Sequence, residues 1–540
     1  MTTKKGESEM KPICVVLLAI LLLLSAGFAQ PAAPAAVTLI RAGTLIDPRA
    51  NEPKHDQVIV VRGERVVAVG DAGTVKEPAN AIVIDLSNAT VLPGMIESHT
   101  HLFLQGEDPA KGGYDIQLLK FYPSYRAARA TVSARRALEQ GFTTIRDMET
   151  EGAGYGDVGI KQAVNESIIP GPRIFTTTRG ISTTGGYPLE GYAPGVAVPK
   201  GVQIVDGPVE ARKATREQLD YGADWIKVYM THRSWVDKSG NLVSQPTLTV
   251  EELKAIVDEA HGWGHKVACH AYSGEGLHRA LDGGCDSIEH GLLLDDAAIA
   301  QMKRQGTWYC PTLSVYYTDW SPENTAEGKR DRARAADHEQ SFRKAVQAGL
   351  KIVFGTDIGG IPWTEPIAPE FGLMTRFGMT PLEAIRSATV RPAEMLGMQG
   401  EIGVIAPGAY ADIIAMKGNP LADINELGRV DFVMKNGQVY VRNNTPAAHW
   451  ACPGAKQKAG KYRPSLSEKP GGYFFGGAMV SFTFLATRNF TTVLAGILIS
   501  APVCGLRPMR ALRLDFTRRP KPGTTNTPFF LVSLMATSAM

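Results

Sequence analysis

Cysteine is scarce in this chain. Six occur among 540 residues, and none stands in a Cys-x-x-Cys spacing. If the first, Cys14, is lost with an N-terminal signal, an odd set remains, which does not read as a disulfide framework. Cys269, Cys285 and Cys310 are therefore expected to be buried small apolar side chains. Excess charge of either sign is missing too. With 57 Lys and Arg against 54 Asp and Glu, the formal charge of +3 gives no basic footprint for nucleic acid and no hint of substrate charge. Long apolar runs are few. Near the C-terminus, Val493 to Pro502 is short for a membrane span and is closed by its proline.

One apolar run does carry a message. From Met10 the chain reads Lys-Pro-Ile-Cys-Val-Val-Leu-Leu-Ala-Ile-Leu-Leu-Leu-Leu-Ser-Ala-Gly-Phe-Ala-Gln: a basic start, an apolar middle and a small-residue exit, the pattern of an export signal cut near Ala29. The competing reading is an uncleaved anchor, because the run approaches the lower limit for spanning. Cys14 lacks the Leu-Ala-Gly setting of a lipoprotein site. The expectation is an exported protein, periplasmic or secreted, with residues 1–29 as signal peptide, 30–36 as a Pro- and Ala-rich tether, and no stable membrane span after cleavage.

The remaining length accommodates a barrel of roughly 250 residues plus a smaller module. Short β-branched runs such as Val37-Thr-Leu-Ile-Arg41, Gln57-Val-Ile-Val-Val-Arg62 and Arg65-Val-Val-Ala-Val-Gly70 suggest a small β domain over 37–92. Similar texture returns at Ala411-Asp-Ile-Ile-Ala-Met416 and Phe432-Val-Met-Lys-Asn-Gly437, so residues 400–444 are expected to complete it. Between these flanks, over 93–399, strands such as Thr143-Thr-Ile-Arg-Asp-Met148, Arg173-Ile-Phe-Thr-Thr-Thr178 and Trp308-Tyr-Cys-Pro-Thr-Leu313 alternate with helical stretches. Thr249-Val-Glu-Glu252 and Thr380-Pro-Leu-Glu383 mark helix starts, each with a Glu three residues after a capping Thr. The count of units predicts an α/β fold with a (β/α)₈ barrel, whose reactive groups gather at strand C-terminal ends. Residues 445–540 show no dependable period and read as a disordered or atypical extension.

Chemistry centres on Val91-Leu-Pro-Gly-Met-Ile-Glu-Ser-His99-Thr-His101. In an extended strand, residues i and i+2 aim to one side, so the two imidazoles form half of a cation site. A metal needs more ligands than two, and they must come from far along the chain. Lys227 in Trp-Ile-Lys-Val-Tyr, His270 in Val-Ala-Cys-His-Ala, His290 in Ser-Ile-Glu-His-Gly and Asp357 in Val-Phe-Gly-Thr-Asp each stand at or near the end of a short apolar run. Alone, any one of them reads as a packed histidine, a snorkelling lysine or a turn aspartate. Their joint order points to a site. Lys227 shares a strand face with Trp225 and Tyr229, opposite Ile226, Val228 and Met230.

In that order the six residues resemble the amidohydrolase superfamily. Gly141-Phe-Thr-Thr-Ile-Arg-Asp147, Trp225-Ile-Lys-Val-Tyr229, His270-Ala-Tyr, Ser287-Ile-Glu-His-Gly291 and Gly349-Leu-Lys-Ile-Val-Phe-Gly-Thr-Asp357 resemble its imidazolonepropionase-like branch, which includes Xaa-Pro dipeptidases and metallo-carboxypeptidases. The likeness spans about Val37 to Arg442. It implies a (β/α)₈ TIM barrel with a small β-sandwich domain built from both flanks. It implies two divalent ions, with zinc first among zinc, cobalt, manganese and iron. His99, His101 and Asp357 would hold the more buried ion, His270 and His290 its neighbour, and Lys227, carrying CO₂ as a carbamate, would bridge them. A water shared by two such ions loses its proton near neutral pH, and Asp357 would move that proton to the leaving nitrogen. Tyr229 would meet the carbonyl or tetrahedral oxygen, and His232 or Arg233 a substrate carboxylate.

Two departures limit transfer of any relative's specificity. Thr183-Thr-Gly-Gly-Tyr187 places a phenol where many relatives have an imidazole, and Met-Thr-His-Arg follows Tyr229 where many have a Ser-Gly-Gly loop. The expected activity is hydrolysis of C–N amide bonds in dipeptides or N-acyl amino acids, releasing the C-terminal residue, by a homo-oligomeric enzyme. A cyclic amide or lactone is the competing substrate class, and a non-catalytic binding scaffold is the competing role.

Overall fold

The computed structural model describes residues 36–107, 113–187, 189, 191–193, 195–317 and 321–446. The expected export signal, the tether apart from its last residue, Cys14, Cys452, Cys504 and the expected extension beyond Pro446 lie outside the described residues.

The fold is mixed α/β. Strands β1 (Val37–Leu45), β2 (Lys54–Arg62), β3 (Arg65–Asp71) and β4 (Ile82–Pro93) come from the N-terminal flank. Strands β5 (Met95–Thr100), β6 (Phe142–Asp147), β7 (Arg173–Thr176), β8 (Ile181–Ser182), β9 (Gln203–Ile204), β10 (Trp225–Tyr229), β11 (Thr231–Val236), β12 (Leu242–Pro246), β13 (Lys266–Ser273), β14 (Ser287–Leu293), β15 (Trp308–Cys310) and β16 (Lys351–Ile352) follow. Strands β17 (Ile413–Met416), β18 (Phe432–Lys435), β19 (Gln438–Arg442) and β20 (Thr445–Pro446) close the described chain.

Both flanks contribute to one eight-stranded sheet, ordered β20-β19-β18-β17-β4-β1-β2-β3. Its core of Ile40, Ile59, Val61, Val91, Ile413 and Phe432 is built from β-branched and aromatic side chains, which fit a pleated surface. The join falls where β4 pairs antiparallel with β17, Val91 opposite Ala415. Since β4 ends at Pro93 and β5 begins at Met95, the sheet holds the entrance to the metal motif directly.

Most strands between run parallel, in the orders β5-β6-β7 and β16-β15-β14-β13-β10-β8-β9, while β11 and β12 form a separate antiparallel pair. Helices alternate with them, as parallel connections require. Backbone bonds also pass between the two groups: Asp224 N donates to Thr176 O at 2.8 Å, Ser98 N to Phe354 O at 3.0 Å, and Asp357 N to His99 O at 2.9 Å. The last pair sets the segment after β16, which bears Asp357, beside β5.

On β10 every residue is buried, as expected of a parallel strand covered on both faces. Ile226, Val228 and Met230 join the large cluster that includes helix residues such as Leu253 and Ile256, whereas Trp225 packs with Met148, Ala268, Trp308, Cys310 and Val353. Lys227 is thereby on the face away from the helices, where the alternation placed it. The two expected helix starts are real. Thr249 and Glu252 form a capping box, and Thr380 Oγ1 accepts from Glu383 N ahead of Pro381.

The cysteines require a correction. Cys269 and Cys285 are both buried, as expected, but they are joined as a disulfide with Cα atoms 6.1 Å apart, and only Cys310 is a free buried thiol among the described residues. Sixteen residues separate the pair in sequence, and neither lies in a local motif. Their pairing follows from three-dimensional proximity: Cys269 is on β13 beside His270, and Cys285 is in the turn leading into β14. A loop of this length closes at an entropic gain of roughly 3 kcal/mol relative to the open chain. The Cys269→Ala, Cys285→Ala double variant should lose about 2–4 kcal/mol in urea unfolding. A variant as stable as the parent, or unreduced peptide mapping that finds two free thiols, would show that the pair is not bonded in solution.

Candidate metal centre and active site

The β strands deliver their polar side chains to one place. His99 Nε2, a ring nitrogen of His290 and an Asp357 oxygen lie within 4.8 Å of one another. His101 Nε2 is 3.1 Å and His99 Nε2 3.6 Å from Asp357 Oδ1. The His270 and His290 rings are 4.4 Å apart, and the His99 and His290 rings 4.9 Å. Lys227, fully buried, lines the same cavity as His101, His270, His290 and Asp357. All six expected ligands are therefore brought together.

Protons decide what this cluster can hold. His99 Nδ1 is 2.8 Å from Glu289 Oε2, and His101 Nδ1 is 3.2 Å from the Glu149 carbonyl oxygen. Each partner only accepts, so each Nδ1 carries the hydrogen and each Nε2 is left as a lone pair. Those lone pairs face a carboxylate oxygen with no hydrogen between them. Such an arrangement is repulsive until a cation enters it. Donors each about 2.1 Å from one cation stand roughly 3–3.5 Å apart, close to the separations here. His99 Nε2 and His270 Nε2 are also buried without a hydrogen-bond partner. Burial, the largest influence, holds the His99 and His270 imidazoles well below their ordinary range and pushes His290 down to about 3, so all three are in the neutral ligating form. Neutral imidazoles around an ionised carboxylate fit a divalent cation. A second grouping, His99 with Glu289 and Cys310, has its donors already committed: Glu289 takes the His99 Nδ1 hydrogen and accepts from Arg146.

Beneath the cluster lies a buried charge relay. Arg146 Nη2 donates to Glu289 Oε1 at 2.8 Å with both side chains fully buried, its Nε donates to Ser98 O at 2.7 Å, and its guanidinium lies 4.7 Å over the Trp225 ring. Glu289 thus orients His99. His290 is its neighbour in sequence, but neighbouring residues of a strand point to opposite sides. His290 instead contacts Thr312 Oγ1 through Nδ1 at 2.8 Å.

Other expected residues divide. Tyr229 and His232 line the cavity. The Tyr229 ring is 4.8 Å from His270 and 5.0 Å from Lys227 Nζ. Arg233, next on β11, is exposed and is not among the residues lining the cavity, as strand alternation requires. Glu149 and Glu151 stand in no local motif, and Thr312 and Tyr272, although within quoted segments, carry no role in the sequence reading. Glu151 accepts from Tyr114 at 2.7 Å and Tyr187 at 3.1 Å, and its Oε1 is 3.4 Å from the Tyr229 hydroxyl. Tyr187 stacks on His232 with centroids 4.1 Å apart.

Comparison with known proteins is decisive at this point. The amidohydrolase family profile matches residues 90–440. The chain belongs to the amidohydrolase family. It is 30% identical over 439 residues to the ochratoxinase of Aspergillus niger, covering 75% of this chain and 87% of that protein. It is 24% identical over 368 residues to the imidazolonepropionase of Streptomyces coelicolor, covering 66% and 85%. Among solved structures, a Xaa-Pro dipeptidase with bound methionine in its active site superposes with a TM-score of 0.68 at 34% identity, over 75% of this chain and 100% of that one. A prolidase complexed with N-methylphosphonate-L-proline gives 0.66 at 30%, over 75% and 100%. This amidohydrolase is accordingly a hydrolase of amide C–N bonds, in a superfamily whose members use metal ions.

The relay makes a prediction about stability. Arg146→Met leaves Glu289 as a buried, uncompensated carboxylate and should cost about 3–5 kcal/mol. Urea unfolding of metal-free protein measures this, and a loss under about 1 kcal/mol would mean that the Arg146–Glu289 pair does not carry the charge balance.

Proposed function

We propose that the protein is an exported, binuclear metal-dependent amidohydrolase that cleaves dipeptides or N-acyl amino acids and releases the C-terminal residue. The observation that carries the metal half of this reading is the convergence of proton-free His99 and His101 Nε2 atoms on Asp357. His99, His101 and Asp357 would hold one ion, His270 and His290 the other, and Lys227, as a carbamate, would join them. Two divalent ions, zinc by first choice, supply a deprotonated water near neutral pH and polarise the scissile carbonyl.

The chain's own side chains do the rest. Asp357 takes the proton from the attacking water and returns it to the nitrogen of the leaving amine, which cannot depart as an amide anion. Burial, joined by the charges of Glu149 and Glu151, holds the Tyr229 phenol well above its ordinary range, so it stays protonated and donates to the oxygen that becomes negative. His232 packs on Tyr187 and shapes the same wall. The parallel strands are read as one (β/α)₈ barrel, a reading supported by the bonds from Phe354 and Asp357 back to β5. The flanking sheet is read as the small β-sandwich domain.

Export is supported by the Cys269–Cys285 disulfide, since such bonds persist in oxidising compartments. Among the described residues no helix is long and apolar enough to cross a membrane. A homo-oligomer is also proposed. Similarity to proteins named imidazolonepropionase keeps a cyclic amide or lactone as the second substrate class. An intact donor set argues against the scaffold role.

Purified protein should contain up to two divalent ions per chain, and metal-reconstituted enzyme should hydrolyse members of a library of dipeptides and N-acyl amino acids. Absence of both metal and turnover would favour the scaffold, and turnover of cyclic amides or lactones alone would favour the second class. Lys227→Ala should abolish turnover, with partial recovery on adding short-chain carboxylic acids. Full activity of the unsupplemented variant would remove the bridging role.

A further inference from the structure

The cavity at the metal cluster, about 90 Å³, adjoins a larger one of about 310 Å³. Glu107, Tyr272 and Asp357 line both, so a substrate engaged at Asp357 can extend into each. Their chemistry differs. The inner cavity is lined by Glu151, which is 2% exposed and ringed by tyrosine hydroxyls; its lysine, Lys227, is committed to the metal centre on the reading above, and no arginine lines it among the described residues. A substrate carboxylate there would meet a buried like charge.

The outer chamber carries two guanidinium groups, Arg330 and Arg334, four residues apart on one face of the helix Ala326–Ala348. Arg334 is held in place. Its Nε and Nη2 donate to Ser234 Oγ at 2.9 and 2.5 Å, and its guanidinium lies 5.6 Å from the Tyr272 ring centre. That leaves Nη1, which is 4.0 Å from Asp331, too far for a hydrogen bond. Arg330 Nε is buried with no hydrogen-bond acceptor among the described residues and stands 3.6 Å from Asp331. Donors are therefore left over even with Asp331, Glu327, Glu107 and Asp357 in the same chamber. The helix is fastened to the reactive strands: Ser341 Oγ donates to Leu292 O at 2.9 Å and accepts from Leu294 N at 2.8 Å, close after His290. Four residues past Arg334, His338 is fully buried with its ring 5.2 Å from Tyr316.

We infer that Arg334, assisted by Arg330, binds the free α-carboxylate of the residue on the leaving side of the scissile bond, while the acyl side occupies the small inner cavity near Glu151. The inference rests on the amide-hydrolase reading above and deepens it. It gives the carboxylate role to the helix and not to Arg233, and it makes the enzyme an exopeptidase that favours a small acyl residue followed by a large C-terminal one.

The test compares L-alanyl-L-phenylalanine with its C-terminal amide on metal-reconstituted wild type, Arg334→Ala, Arg334→Lys and Arg330→Ala. Wild type should prefer the acid in kcat/KM by roughly ten- to a hundredfold, the scale of one or two charge-assisted hydrogen bonds. In Arg334→Ala that ratio should fall toward one, mostly through KM. Arg334→Lys should retain part of it, and Arg330→Ala should lower it less. Calorimetry gives a readout apart from turnover: L-phenylalanine should bind wild type more tightly than L-phenylalaninamide, and the difference should shrink in Arg334→Ala. Equal cleavage of acid and amide by wild type, or an unchanged ratio in both alanine variants, overturns this assignment and leaves the hydrolase reading standing. Cleavage of neither overturns that reading and this inference with it.

Discussion

Glu289 takes a full negative charge into the interior, and the geometry of the site follows from how that charge is balanced. One oxygen accepts from Arg146 and from Ser287 Oγ at 2.5 Å, and the other receives the His99 Nδ1 hydrogen. Three strands, β6, β14 and β5, are thereby tied through one carboxylate. Replacing such a buried pair with apolar groups is often neutral or stabilising, so stability alone gives little reason for it. Its effect on His99 gives a better one. By fixing the tautomer and the ring angle, the relay leaves Nε2 as a lone pair aimed at Asp357. The Glu149 carbonyl does the same for His101.

Backbone constraints point the same way. His290, Thr312 and Asp357 have φ of 71°, 52° and 60°, left-handed conformations that non-glycine residues adopt at a cost of about 1–3 kcal/mol. His290 lies within β14, and Thr312 and Asp357 lie in the segments that follow β15 and β16, each presenting a side chain toward the cavity. The neighbouring glycines answer to the same crowding. A Cβ at Gly355 would lie 2.4 Å from Cys310 Sγ and 3.0 Å from His99 Cβ, and one at Gly359 would lie 2.4 Å from the His101 carbonyl oxygen. Gly-Thr-Asp is thus a spatial requirement: the segment after β16 that bears Asp357 passes against the His-x-His strand with no room for a side chain at Gly355.

Local periodicity made much of this legible in the sequence. The i, i+2 spacing of His99 and His101, the alternation that turns Lys227 away from the helices, and the Thr caps at Thr249 and Thr380 each express a short-range rule that packing did not override. Features set by contacts between distant segments were not legible. Cys269 and Cys285 become neighbours only because β13 and β14 pair in register, Ala268 opposite Ser287. Glu289 is adjacent to His290 in sequence, yet alternation sends it to a histidine 190 residues away. The family resemblance offers His232 or Arg233 for a substrate carboxylate, yet Arg233 is exposed on β11. The guanidinium groups beside the cavity arrive instead on a helix about a hundred residues later, held by Ser234, the next residue after Arg233.

Lys227 brings these strands of reasoning together. It is among the largest fully buried side chains of the protein, and its Nζ lies over the face of Tyr229. Leaving an ammonium there, among histidines arranged to ligate cations, sets like charges against each other in a place where burial already penalises them by several kcal/mol. A neutral amine removes the repulsion but contributes only one lone pair. Capture of CO₂ on the proposed reading reverses the sign of the group and provides two oxygens, converting the most costly side chain of the cavity into the one that allows histidines from separate strands to share a single charged centre.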